Sequence, residues 1–66
     1  MPRKIRQLVA DLEAAGFARV PGGKGSHRKF RHQKYAGSVI LSGQDGDDAH
    51  RYQEKHIRHA IQETSQ

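Results

Sequence analysis

Three short segments with strand-like patterns, separated by connections of only a few residues, limit the folds that this chain can adopt. They cover residues 17–20, 26–32 and 38–42. A parallel pair of strands needs a crossover of about a dozen residues or more, whereas an antiparallel pair needs only a short turn. The breaks between the segments contain proline and glycine, which are typical of turns. The spacing therefore predicts a three-stranded antiparallel meander.

An amphipathic helix is predicted ahead of the strands, over about residues 3–15. Apolar residues recur there at positions i, i+3, i+4 and i+7, which form one stripe on a helix: Ile5, Leu8, Val9 and Leu12. Gly16 follows at the position where a left-handed residue closes a helix, and Phe17 is placed to pack back on Leu12. This ending predicts a Schellman motif.

A second helix is predicted after the acidic loop that follows the third strand, with Asp47 or Asp48 as its N-cap. Its apolar face is expected to comprise residues within about half of the helix circumference: Ala49, Tyr52, His56, Ile57, Ala60 and Ile61. In this arrangement Tyr52 belongs to the core and His56 is half-buried. The helix is expected to fray before Thr64.

These elements predict an α+β fold with the order α-β-β-β-α and both helices on one face of the sheet. Val39 and Leu41 are expected to share the core face, which leaves Ile40 on the open face as an isolated surface residue. The chain of 66 residues is expected to form a single domain, residues 1–66, near the lower size limit for a fold held by its core alone.

The composition favours a polyanionic partner. The net charge is +5 and the sequence pI is about 10.1, and nucleic acid is the commonest partner of such a chain. Net charge alone would also suit an acidic protein or a membrane surface. No apolar run approaches the length of about 20 residues that spans a bilayer. The chain also lacks cysteine, which excludes disulfides and thiolate metal sites. We expect a cytoplasmic protein without a membrane-spanning segment.

A glycine-rich stretch that leads into a cationic strand is the strongest candidate for a binding site. Glycines at positions 22, 23 and 25 permit positive φ angles and close approach of a ligand to the backbone. No Asp or Glu occurs between Glu13 and Asp45, whereas six Lys and Arg residues do: Arg19, Lys24, Arg28, Lys29, Arg31 and Lys34. The stretch is therefore predicted to bind phosphate.

His27 is the candidate for chemistry within this stretch. Strand alternation predicts that His27, Lys29 and Arg31 share the outward face, while Arg28, Phe30 and His32 share the other. Histidine has an unperturbed pKa of about 6.5, so it exchanges protons readily near neutral pH. Lys24, Lys29 and Arg31 would hold a phosphate beside it, and Ser26 would add a hydroxyl group. On residue chemistry alone, an ordinary surface histidine beside a basic patch stays the alternative.

Other sites are less well supported by the sequence. His56 and His59 have the i, i+3 spacing of a metal pair, but no cysteine accompanies them, so no metal and no cofactor are predicted. The glycine stretch lacks the spacing of a nucleotide-binding P-loop and leads into a strand. The acidic loop 43–48 lacks the final glutamate of an EF-hand.

The chain resembles the HicA family of toxins. The resemblance rests on Leu12-x-x-x-Gly16-Phe17 and on the segment from Gly25 to His32, followed by a short strand and a final helix. It implies a fold like that of the double-stranded-RNA-binding domain, cleavage of messenger RNA, and neutralisation by a HicB-like antitoxin. It also implies that His27 is the active-site histidine and that Gly25 is the glycine preceding the Ser-His pair.

The resulting prediction is a toxin of a type II toxin-antitoxin system that cleaves mRNA as a metal-independent endoribonuclease. His27 is the predicted general acid or base. The predicted RNA-binding residues are Lys24, Gly25, Ser26, Arg28, Lys29 and Arg31. Two alternatives remain open from the sequence: a non-catalytic RNA-binding module, and a protein whose basic face binds only an antitoxin.

Overall fold

The computed structural model describes residues 3–22, 25 and 27–65, and it has the predicted order of elements. Helix α1 spans Ile5–Ala14, followed by strands β1 (Ala18–Val20), β2 (Arg28–Arg31) and β3 (Val39–Leu41), and then by helix α2 (Arg51–Thr64). The strands form one antiparallel sheet in the order β1-β2-β3. The predicted α+β fold is thus confirmed, with α1 slightly shorter than expected at both ends.

The core lies between the two helices and one face of the sheet. Phe30 of the central strand is 1% exposed, and it is joined by the predicted pair Val39 and Leu41 on β3. The remaining buried hydrophobic side chains come mainly from the helices: Ile5, Leu8, Leu12, Phe17, Ala49, Ile57 and Ala60. Ile40 is 53% exposed on the opposite face, as the alternation predicts. One face of the sheet is therefore left open.

The end of α1 is the predicted Schellman motif. The Phe17 N–H donates to the carbonyl of Leu12 at 2.9 Å, and the Gly16 N–H donates to the carbonyl of Glu13 at 3.1 Å. Gly16 has φ +99°, which is costly for any residue with a Cβ. The motif turns the chain directly into β1 and buries Phe17.

The start of α2 differs from the prediction, because neither Asp47 nor Asp48 is its N-cap. The N-cap is His50, whose N–H donates to the Gln53 side-chain oxygen at 2.8 Å. The two aspartates are engaged elsewhere: the Asp47 carboxylate accepts from the Gln44 N–H, and Asp48 pairs with the Lys4 ammonium at 2.6 Å. The acidic loop therefore packs against the start of α1 instead of capping α2.

The buried face of α2 also differs from the prediction. Tyr52 is 67% exposed and His56 is exposed, whereas Gln53 and Thr64 are buried together with Ile57 and Ala60. Burial of Gln53 is acceptable because its amide nitrogen donates to the Ser42 carbonyl at 3.2 Å. The Thr64 hydroxyl similarly donates to the carbonyl of Ile61, so the helix stays packed to its last residue. Ala49, Ile57 and Ala60 are buried as predicted and Ile61 packs against the core, so the apolar periodicity was wrong only for Tyr52 and His56.

Within the described part of the chain, neither helix has the length and apolar character needed to cross a membrane.

Substitution of Gly16 by alanine is predicted to lower the free energy of unfolding by about 1–2 kcal/mol, because a left-handed residue with a Cβ is strained. The added Cβ would also lie 3.0 Å from the Nε2 atom of His32. Gly46→Ala is the matched control, since Gly46 has no positive φ and nothing lies within 4 Å of an added Cβ. Urea denaturation of the two variants checks this prediction. Equal losses of stability would contradict it.

Candidate nucleic-acid interface

The turn between β1 and β2 depends on glycine for its geometry. Gly22 has φ +134° and Gly25 has φ +60°, both in the region that side chains rarely adopt. An added Cβ on Gly22 would meet the Cδ atom of Lys29 at 3.3 Å, so the lysine stem lies against the turn. Gly25 has open space at its Cβ position. A ligand can therefore approach the backbone closely at Gly25.

Three residues of this turn, Gly23, Lys24 and Ser26, lie outside the described residues. The predicted roles of Lys24 and Ser26 in RNA binding stay predictions.

His27 stands immediately before the central strand and is exposed. Its neighbour Arg28 is paired with Leu41, so His27 lies at the end of the sheet where β2 begins and β3 ends. Among the described residues, nothing lies within 4 Å of a Cβ added at Gly25, two positions before it. The imidazole is thus accessible to a large ligand at this end of the sheet.

The open face of the sheet carries cations next to His27. Lys29 is half-buried between its register partners Val20 and Ile40, while Arg31 is exposed opposite Ala18. Lys29 and Arg31 lie two residues apart on one strand, so their side chains leave the same face. Burial of Phe30 on the other face confirms this alternation. The open face therefore combines two positive charges with a narrow apolar strip.

Arg28 has a different environment from the other predicted RNA-binding residues. Its guanidinium donates to the Asp45 carboxylate at 2.6 Å and to the Gly43 carbonyl at 3.1 Å, and its side chain is only 15% exposed. It therefore fastens loop 43–48 to the beginning of β2, directly beside His27. RNA binding by Arg28 stays a prediction, and a phosphate bound there would share the guanidinium with Asp45.

A shallow cleft of about 260 Å³ opens at this position, between the glycine turn and loop 43–48. Its described lining residues are Arg19, Gly25, Arg28, Gly43, Gln44 and Asp45. Arg19 is paired with Phe30 and so lies on the helix side of the sheet, like Arg28. Sequence reasoning missed Gln44 and Asp45 as site residues, because the contact joins segments 17 residues apart. The sequence did contain a signal for this contact: β2 carries cations that have no acidic residue nearby in the chain, and loop 43–48 carries acidic residues.

The other histidines are separated from His27. The His32 ring packs on Phe17 with centroids 5.0 Å apart, and its Nδ1 atom accepts the Lys34 N–H at 2.9 Å. Five residues of extended chain place His32 about 16 Å beyond His27. His59 pairs with Glu63 on α2 at 3.2 Å. Among the described residues, no group of three or more His, Asp or Glu side chains is arranged to hold a metal ion.

A comparison with protein families gives one match over almost the whole chain. The model of a family described as the HicA toxin of bacterial toxin-antitoxin matches residues 5–63. This range includes α1, the three strands, His27 and all of α2 except its last residue, and the match confirms the family resemblance found in the sequence. Searches of curated proteins and of solved structures gave no match.

Replacement of Arg28 by lysine is predicted to lower the free energy of unfolding by about 1 kcal/mol. Lysine keeps the charge but lacks the planar fork that reaches both Asp45 and the Gly43 carbonyl. Arg31→Lys is the matched control on the same strand, and its effect is expected to stay within about 0.5 kcal/mol because Arg31 is exposed. Thermal unfolding of both variants checks this, and equal effects would argue against the structural role of Arg28.

Proposed function

Because the chain belongs to the HicA family of bacterial toxins, we propose that it is an endoribonuclease that cleaves mRNA with His27 at the scissile phosphate. Toxins of this family pair with an antitoxin and act on RNA. The observation that carries the proposal is the position of His27, which is exposed between an open glycine turn and the cations of the open sheet face.

The proposed reaction is a transesterification. The ribose 2′-oxygen attacks the adjacent phosphorus while the bond from phosphorus to the 5′-oxygen breaks, which gives a 2′,3′-cyclic phosphate and a free 5′-hydroxyl. The 2′-hydroxyl loses a proton and the 5′-oxygen gains one. His27 transfers the proton at one of these two oxygens, and water exchanges the proton at the other. His32 is not assigned a shared role, because about 16 Å of extended chain separates it from His27 and its ring packs on Phe17.

Cations on the open face support this chemistry because they would bind the negatively charged phosphates of the RNA. Lys29 and Arg31 leave the face that borders His27, and neither pairs with a carboxylate among the described residues. A fixed positive charge near the phosphate also stabilises the charge that develops in the transition state. Lys24, Gly25 and Ser26 would complete the phosphate contacts from the turn.

One positioned acid–base group typically accelerates a reaction by about 10²- to 10⁴-fold, so the proposed enzyme is a modest catalyst. The reaction as written requires no metal ion. The order α-β-β-β-α is compatible with a fold like the double-stranded-RNA-binding domain, which contacts RNA through backbone and 2′-hydroxyl groups. An mRNA substrate would place the protein in the cytoplasm.

A HicB-like antitoxin is the proposed protein partner. A partner that covers His27 and the cations of the open face would inhibit by excluding RNA. Its surface would be acidic where it meets Lys29 and Arg31, because complementary charge favours association. Ile40, exposed beside Lys29, offers such a partner an apolar contact that RNA phosphates would not use.

His27→Ala is predicted to reduce RNA cleavage by about 10²- to 10⁴-fold and to leave RNA binding nearly unchanged. His56→Ala is the matched control, because His56 is also exposed but lies on α2. The measurement is cleavage of mRNA by the purified chain, with and without EDTA, and detection of 2′,3′-cyclic phosphate ends. Binding without cleavage by the wild type would indicate an RNA-binding module, and full activity of His27→Ala would refute the role of His27.

Joint replacement of Lys29 and Arg31 by alanine is predicted to weaken RNA binding and its salt dependence. Each phosphate contact to a single strand contributes about 0.7 to the slope of log affinity against log salt, so the slope should fall by about 1.4. The control replaces Arg51 and Lys55, two exposed cations of α2. Titrations at several salt concentrations measure both slopes. An equal change in the α2 variant would show that charge acts without regard to position.

A further inference from the structure

We propose that the cleft beside His27 binds a guanine base of the RNA and that Asp45 selects this base. The inference rests on the proposed ribonuclease function and adds a preference for the nucleotide next to the cut. Three observations carry it. The cleft contains both positive and negative groups, Arg28 holds the Asp45 carboxylate, and residues that line the cleft are close to His27 in the sequence.

The charges of the cleft fit a base better than a phosphate. Arg19 and Arg28 supply cations, but Asp45 also lines the cleft, as an exposed anion. A phosphate in this cleft would meet the carboxylate and be repelled. The edge of a nucleobase carries both hydrogen-bond donors and acceptors. The guanidinium, carboxylate and amide groups that line the cleft offer partners for both the donors and the acceptors of a base.

Among the four bases, guanine matches these groups most completely. Its Watson–Crick edge presents two adjacent donors, the N1–H and the N2 amino group, and an ionised carboxylate only accepts. Its O6 and N7 atoms are acceptors that arginine commonly binds. None of the other three bases has two adjacent donors there: adenine has the N1 acceptor beside a C2–H, cytosine has the N3 and O2 acceptors, and uracil has its N3–H beside the O2 acceptor. In each of them an acceptor would face the Asp45 carboxylate unfavourably.

Arg28 fixes the carboxylate for this role. Its guanidinium donates to the Oδ1 atom of Asp45 at 2.6 Å, while the Asp45 side chain stays 66% exposed. Each carboxylate oxygen has two acceptor sites, so both oxygens can still accept from a base. The acceptor is thus oriented before the ligand arrives, which lowers the entropy lost on binding.

The position of the cleft links the base to the reaction. Gly25 and Arg28 line it, and they stand two residues before and one residue after His27 in the chain. The open space at the Gly25 Cβ position lets a flat base approach the backbone. The cleft lies on the helix side of the sheet, whereas Lys29 and Arg31 lie on the open face. A nucleotide whose base occupies the cleft would therefore pass around the start of β2 to place its adjoining phosphate at His27. The expected consequence is a preference for cutting next to guanine.

The test uses Asp45→Asn with Asp48→Asn as its matched control. Asparagine keeps an oxygen for Arg28 but replaces the second acceptor by a donor, which faces the donors of guanine. Asp48 carries the same charge in the same loop, but it pairs with Lys4 and does not line the cleft. Equal unfolding temperatures of the two variants would show that the fold is retained.

Binding is measured first, in the His27→Ala background so that no RNA is cut. Dinucleotides that carry each of the four bases on either side of uridine are titrated into labelled protein. We expect those with guanine to bind on the order of ten- to a hundredfold more tightly and to shift the amide signals of Gly25, Gln44 and Asp45. Adding Asp45→Asn should remove this preference, and adding Asp48→Asn should leave it.

Cleavage is then mapped on RNA of random sequence with the wild-type chain. Cuts beside guanine that become evenly distributed in Asp45→Asn support the proposal. Cleavage without a guanine preference, or equal losses in both aspartate variants, overturns the proposal and leaves the ribonuclease function standing. Guanine binding that depends on Asp45 in a chain that does not cut RNA supports the cleft and refutes the ribonuclease function.

Discussion

Loop 43–48 holds the start of α1 and the start of β2 together, and the remaining structure depends on this attachment. The backbone carbonyls of Asp47 and Asp45 accept the N–H groups of Ile5 and Arg6, which the helix itself leaves without partners. Such a hydrogen bond contributes about 0.5–1.5 kcal/mol net, whereas an exposed ion pair contributes about 0–1 kcal/mol. The backbone bonds therefore dominate the stability of the attachment, and the ion pairs of Asp45 and Asp48 chiefly fix its orientation.

The central strand positions the described residues of the candidate site. Strand β2 is hydrogen-bonded on both sides, and Phe30 anchors it in the core. Because side chains alternate, the same strand that buries Phe30 must present Lys29 and Arg31 to the open face. His27 lies just outside the ladder. The cations are thus placed by rigid structure, while the histidine adjoins the turn that a ligand can approach.

Local sequence signals predicted the fold well because they act over a few residues. Gly16 and Phe17 ended α1 as expected, and Ile40 was correctly assigned to the open face. The predicted N-cap of α2 was wrong, and so were Tyr52 and His56 on its buried face, whereas Ala49, Ile57 and Ala60 are buried as predicted. Polar residues near the helix start make contacts that are distant in sequence. Asp47 and Asp48 serve loop 43–48, and Gln53 is buried because its amide reaches Ser42. For the site, the exposed position of His27 was predictable, but the pairing of Arg28 with Asp45 was not.

Ion pairs within the fold leave several cations of this chain of net charge +5 without a carboxylate partner among the described residues. Three ion pairs neutralise cations at the helix termini and along loop 43–48: Arg3–Asp11, Lys4–Asp48 and Arg28–Asp45. Lys29 and Arg31 have no such partner among the described residues, so the open face keeps two positive charges that no carboxylate neutralises. An RNA and an acidic protein would both be drawn to that face, and since the same charges attract both, they must compete for it. If the proposed antitoxin binds this face, inhibition would require only that the protein binds more tightly than RNA, without a change in the shape of the candidate site.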